Sequence, residues 1–357
     1  MSMDNVRKKE DTSYITLLSV ISAVAVVFLH TNRCFWDFKS DADYWFSANI
    51  IECLFYFAVP IFFMISGATL IDYRERYSTK EYFIKRIKKT VIPFIVWSIV
   101  ILIYDIFIEK RVNTGDLNFR YIVGKFLYPG GVYWFFAPLF MIYLIIPILA
   151  YIPKEKRNKI FFYGAVLSFA VNGIVPFIQN NVYFFPFNMV FYIGNDYTFY
   201  VLAGYLLRKV RLSRKKEILI YLLAFAGLLL QITGTYRLSM NAGELIDTYK
   251  GYNNVPCVLY SLGIFVFFRN YGNKIMSGFI GNIIGKISKY TFGIYLIHIY
   301  IVSYLPSLIS LIFGNIEVYS ITTSLLYRIT APFVIVAICI LIIFLLRKIP
   351  AIRHIVP

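Results

Sequence analysis

The chain has 357 residues, of which 59% are hydrophobic and only 15% charged. A soluble domain needs a polar exterior that this composition cannot supply, so the chain reads as a polytopic membrane protein. Its formal charge of +17 does not indicate nucleic acid, because the Lys and Arg residues sit in short loops between apolar runs, which is a membrane topology signal.

Residues 1–13 are polar and charged and read as a cytoplasmic tail. The apolar run behind them lacks a small-residue cleavage site, so it is expected to be retained. A bilayer span needs about 20 mostly apolar residues. Ten segments qualify: 14–31, 47–71, 90–108, 133–152, 159–178, 187–207, 217–236, 254–269, 290–313 and 323–346. The first ends on Val27-Phe28-Leu29-His30. The second carries Glu52 near its start, closes on Ser66-Gly67, and empties into a loop holding Arg74, Arg76, Lys80, Lys85, Arg86, Lys88 and Lys89. The sixth is polar at its start (Gly194, Asn195, Asp196) and the eighth is short. Lys274 to Ser288 reads as an amphipathic segment on the membrane surface. Residues 347–357 form a second tail.

The expected fold is all-α, a single membrane-embedded helical bundle over 1–357 with about ten transmembrane helices. Most Lys and Arg residues fall on the side of the N-terminal tail, so both termini are expected in the cytoplasm. That topology puts His30, Glu52, Asp105, Asp196 and Arg328 toward the outer face. Ser66-Gly67 and the basic loop lie at the opposite end. His298, eight residues into its span, is about 12 Å deep at 1.5 Å per residue. The four cysteines form no CxxC or zinc pattern, so no metal site is expected.

An ordered set of motifs resembles the acyltransferase-three family of integral-membrane acyltransferases, in particular its short members without an appended extracellular domain. They are VVFLH (26–30), VPIFFMISG (59–67), FIKRIKKTVIP (83–93), YWFFAPLFMIYLIIP (133–147), GNDYTFYVLAGYLL (194–207) and SKYTFGIYLIH (288–298). The resemblance implies O-acyl transfer, in the first place O-acetyl transfer, in a bacterial plasma membrane. Acyl-coenzyme A, as acetyl-coenzyme A, is the implied co-substrate, with no tightly bound cofactor. The implied acceptor is a hydroxyl of a cell-surface polysaccharide or lipid-linked glycan. His30 falls on the family's catalytic histidine. The family's arginine eleven residues earlier is replaced here by Ser19, although Ser19, Ala23 and His30 share one helix face. A transporter or flippase for polysaccharide intermediates is the alternative, and dependence on coenzyme A separates the two.

Acyl transfer from a thioester to a hydroxyl needs a base beside the hydroxyl and stabilisation of the oxyanion. An imidazole suits the first role because it is mostly neutral at neutral pH. Glu52 is placed either to orient His30 or to pair with Arg33 or another outer cation. His298 either polarises the acyl carbonyl, lines the passage, or is a buried histidine bonded to helix backbone. Ser66 with Gly67 reads as a close helix contact ahead of a nucleophile. Arg86 and Lys89, then Arg76, are the candidates for the phosphates of the nucleotide end. Trp134, with Trp36 and Tyr133, either stacks on a sugar or anchors at the interface. Asp196 and Arg328 either bind the acceptor or pair with each other.

Overall fold

The computed structural model describes residues 12–110, 118–127, 130–182, 197–350 and 352–356. These are 83% helical with no strands. In chain order the α-helices are α1 Ser13–Thr31, α2 Asp43–Phe55, α3 Ala58–Leu70, α4 Thr79–Arg86, α5 Ile92–Phe107, α6 Phe119–Leu127, α7 Phe136–Tyr151 and α8 Lys154–Phe169. They continue with α9 Val175–Asn181, α10 Thr198–Lys209, α11 Arg214–Ala242, α12 Val255–Met276, α13 Phe279–Ile287, α14 Thr291–Ile312, α15 Val318–Thr323 and α16 Leu325–Arg347. Among the described residues, nine helical stretches are long and apolar enough to cross a membrane. They match nine of the ten predicted spans. The sixth predicted span begins at 187, outside the described residues, and its described part is α10.

α1 is the hub. It packs against α2, α3, α12, α14 and α16, and Leu18, Ala25 and Val27 are wholly buried. A helix apolar on every face must be surrounded by others. α11 and α16 lie outside, and their Leu222, Phe225, Leu326, Phe333 and Leu341 are more than half exposed, as a surface solvated by lipid requires.

Prolines account for the irregularities. The stretch 47–71, predicted as one helix, is broken at Tyr56-Phe57 between α2 and α3. Pro60 has no N–H to offer the Tyr56 carbonyl four residues back, and the helical bonding resumes with Ile61 N–H donating to Phe57 O at 3.0 Å. π-Turns at Ile87–Val91 and Ala170–Ile174 each precede a helix with proline in its first turn, Pro93 in α5 and Pro176 in α9. The segment expected to lie along the surface, 274–288, comprises the end of α12 and α13. Its polar–apolar pattern survives in α13, where Phe279 and Ile280 are exposed.

α3 crosses α10 at near backbone contact. A Cβ on Gly67 would stand 1.9 Å from Val201 O, and one on Gly204 would stand 2.0 Å from Met64 O. Gly67 is therefore the packing residue that the small-residue pair suggested.

At the end of the bundle where α3, α7 and α10 terminate, arginines satisfy the last helical carbonyls. Arg76 donates to Thr69 O at 2.6 Å, Arg208 to Ala68 O at 2.5 Å, and Arg157 to Ile152 O at 2.7 Å and Ala150 O at 2.5 Å. Asp72 then joins Arg157 and Lys209, each at 2.8 Å. We call this the basic end.

Candidate functional site

Two cavities meet at one histidine. The first, of about 440 Å³, runs beside α1 from Ser19 to His30. Those eleven residues span about 16 Å of helix at 1.5 Å per residue. Toward the basic end its wall includes Ser66, Thr90 and Tyr143; its middle is apolar, with Val26, Leu29, Val59 and Phe62. At the far end it is lined by His30, Glu52, Tyr56, Trp134 and Tyr252. The second cavity, of about 400 Å³, lies on the other side of His30 and is lined by Arg33, Tyr104, Asp105, Glu109, Tyr121 and Lys125. His30 and Val132 line both cavities. Of these two, only His30 carries a titratable group.

The turn bearing Val132 is fixed by glycine conformation and by tyrosine hydroxyls. Gly130 and Gly131 have φ of 79° and 54°, a region that residues with a Cβ disfavour. Tyr133 donates to Leu296 O at 2.8 Å, and Tyr295 donates to Val132 O. The turn is thereby clamped to α14, the helix that carries His298. Trp134 stacks on Tyr252 with ring centroids 5.7 Å apart, so its ring forms a wall of the first cavity.

His298 stands beside His30, with ring centroids 5.1 Å apart. It is fully buried and lines neither cavity, so it does not form the passage wall. Its Nδ1 lies 3.0 Å from Ile294 O and 2.8 Å from Tyr295 O. Carbonyls only accept, so Nδ1 carries the proton and Nε2 of the neutral ring carries a lone pair.

Glu52 has two polar partners. Lys250 Nζ lies 3.1 Å from its Oε1, and Asn32 Nδ2 donates to its Oε2 at 3.3 Å. The outer cation expected for Glu52 is therefore Lys250 from the loop between α11 and α12. Arg33 instead faces the second cavity. Lys250 is itself buried, with its ammonium 4.2 Å from the Trp36 ring centroid and 4.0 Å from that of Tyr56. A cation sheltered by aromatic faces and a carboxylate is stabilised by both. Removing one partner would strand the other charge in the interior, at a cost of about 3–5 kcal/mol.

Arg328 belongs to the same network. It is 1% exposed and donates to Asn32 Oδ1 at 3.3 Å, Ser47 Oγ at 2.7 Å and Thr323 O at 3.1 Å. It lines neither cavity, so its position is behind the site rather than in it. Asn32, two residues past His30, bridges the two halves by accepting from Arg328 and donating to Glu52 and to Ala48 O at 2.8 Å. The chain of Arg328, Asn32, Glu52 and Lys250 ties the end of α1 to α2, α16 and a distant loop. Asp196, expected either to bind the acceptor or to pair with Arg328, lies outside the described residues.

The three predicted anion-binding residues separate. Arg86 is half-buried, with its guanidinium 5.5 Å from the Tyr143 ring centroid, and Tyr143 lines the first cavity. Lys89 is exposed in the π-turn. Arg76 is exposed and caps α3 through Thr69 O.

Asn32, Lys250 and the second-cavity residues Tyr104, Glu109, Tyr121 and Lys125 were not singled out from the sequence. Asn32 carries a local signal, a polar residue closing the helix that bears the histidine. Lys250 carries none, since it looks like any loop cation.

A family model described as an acyltransferase domain matches residues 12–347, nearly the whole chain. No curated protein and no solved structure matches the chain.

Proposed function

The chain belongs to this acyltransferase family, and from that premise we propose that it is an O-acyltransferase with separate donor and acceptor cavities. It moves an acetyl group from cytoplasmic acetyl-coenzyme A to a hydroxyl of a surface polysaccharide or lipid-linked saccharide in a bacterial plasma membrane. The observation that carries this reading is that both cavities share His30. The nucleotide end stays at the basic end of the bundle, near Arg86. The uncharged pantetheine arm lies along the apolar first cavity and brings the thioester to His30.

The acceptor enters the second cavity, whose tyrosines and charged groups suit a polyhydroxylated ring. His30 takes the hydroxyl proton as the oxygen attacks the thioester carbonyl. When the tetrahedral intermediate collapses, the carbon–sulfur bond breaks. The imidazolium returns its proton to the departing thiolate, leaving the ester and free coenzyme A.

The test is transfer of labelled acetyl from acetyl-coenzyme A to the cell's own envelope glycans by the purified protein in vesicles. His30→Ala should lower transfer by at least 10³-fold with the protein still folded, within the range that acid–base and positioning effects supply together. Full transfer by that variant would overturn the assignment. Glycan movement across the membrane without any acetyl-coenzyme A would favour a flippase.

A further inference from the structure

His298 has a buried lone pair that nothing in the reaction above uses. Its Nδ1–H is committed to two backbone carbonyls of its own helix. Its Nε2 is buried and has no hydrogen-bond partner among the described residues. A buried acceptor left in this way loses its hydration without recompense, so the site asks for a donor. The neighbouring ring is His30, with its centroid 5.1 Å away. Two imidazoles joined end to end by a hydrogen bond of about 3 Å stand about 5 Å apart between ring centres. The separation is thus that of such a pair, and a His30 N–H directed at that lone pair would satisfy it.

We infer that His298 is a positioning residue for His30: its Nε2 accepts one His30 N–H and so fixes the tautomer that leaves the other His30 nitrogen bare toward the shared end of the two cavities. The order of groups is Ile294 and Tyr295 carbonyls, His298 Nδ1–H, His298 Nε2, His30 N–H, and the free His30 nitrogen. It parallels the use of a carboxylate behind a catalytic histidine, with a neutral ring as the acceptor. A neutral acceptor avoids placing a further charge in the membrane interior. During transfer the acceptor hydroxyl's proton goes to the bare His30 nitrogen. The other His30 proton stays where it is, and its bond to His298 strengthens as the imidazolium forms. No proton passes to His298.

This assignment rests on His30 being the base, but it has a readout independent of activity. The chain contains three histidines, and His354 is exposed, so ¹⁵N-histidine labelling of a His354→Gln protein leaves two imidazoles to resolve. The expected spectrum in nanodiscs shows His298 protonated at Nδ1, His30 in one neutral tautomer, and a coupling between a His30 N–H and His298 Nε2. Rapid averaging of His30 between tautomers in that protein would overturn the inference even if His30 proves catalytic.

Activity supplies the second arm. His298→Gln keeps an oxygen acceptor near the Nε2 position, whereas His298→Asn keeps only a donor toward the carbonyls. His298→Asn should lower kcat for acetyl transfer about 10²-fold, the order that a positioned acid–base group is worth, with KM for acetyl-coenzyme A within twofold. His298→Gln should retain activity within tenfold of the unsubstituted protein. A purely structural role predicts the reverse ranking, with asparagine the better substitute, and that result would refute the pairing.

Discussion

The two cavities on either side of His30 are similar in size and opposite in character. The first is a long apolar slot whose one acidic lining group among the described residues, Glu52, is neutralised by buried Lys250. The second is lined by Arg33, Lys125, Asp105 and Glu109, and Glu109 accepts a hydrogen bond from Tyr104 at 2.5 Å. An apolar slot accepts an uncharged chain at little desolvation cost, whereas a cavity with fixed charges and hydroxyls rewards a ligand that can replace water at each one. The contrast teaches that a single protein can sort two substrates by the solvation each must lose, and that the residue touching both compartments is the one placed to join them.

The contrast is broken most severely by filling the slot. Ser66 lines the first cavity and donates only to the Phe62 carbonyl one turn back. Ser66→Trp should reduce transfer from acetyl-coenzyme A by more than 10²-fold while leaving acceptor binding, read by glycan co-sedimentation with proteoliposomes, unchanged. Undiminished transfer would remove the donor from that cavity. A smaller effect is expected at the slot's basic end. Arg86→Ala should raise KM for acetyl-coenzyme A about tenfold, equivalent to about 1.4 kcal/mol, with kcat held within twofold. The smallest belongs to Arg76, whose guanidinium is engaged by the Thr69 carbonyl in an exposed cap. Arg76→Ala should change KM less than twofold, and its effect should be sought in thermal stability, at about 0.5–1.5 kcal/mol. An Arg76 effect on KM as large as that of Arg86 would move the donor's anionic end away from Tyr143.

Much of this was legible in the chain itself. Span-length apolar runs mark the helices, and the helical period places Ser19 and His30 on the one face of α1 that lines the first cavity. Pro60, Pro93 and Pro176 are visible in the sequence, although the break and the π-turns they cause were not foreseen. What sequence could not show depends on contacts between distant segments. Lys250 reaches Glu52 across 198 positions, an ion pair with no local pattern. Arg328 looked like a ligand for the acceptor because a charge inside a span usually marks function. Its two terminal nitrogens instead donate to Asn32, Ser47 and Thr323, and it lines neither cavity. The second cavity escaped notice because its residues come from five separate stretches, and no local pattern joins them.

Whether residue 30 is reached from both compartments has a direct test. The four native cysteines are all buried, so background thiol labelling is low. In a His30→Cys protein reconstituted with known orientation, water-soluble thiol reagents that cannot cross the membrane should modify residue 30 from either side. Acetyl-coenzyme A should protect it from the basic side. Labelling confined to a bilayer-soluble reagent, with neither aqueous side effective, would contradict the account.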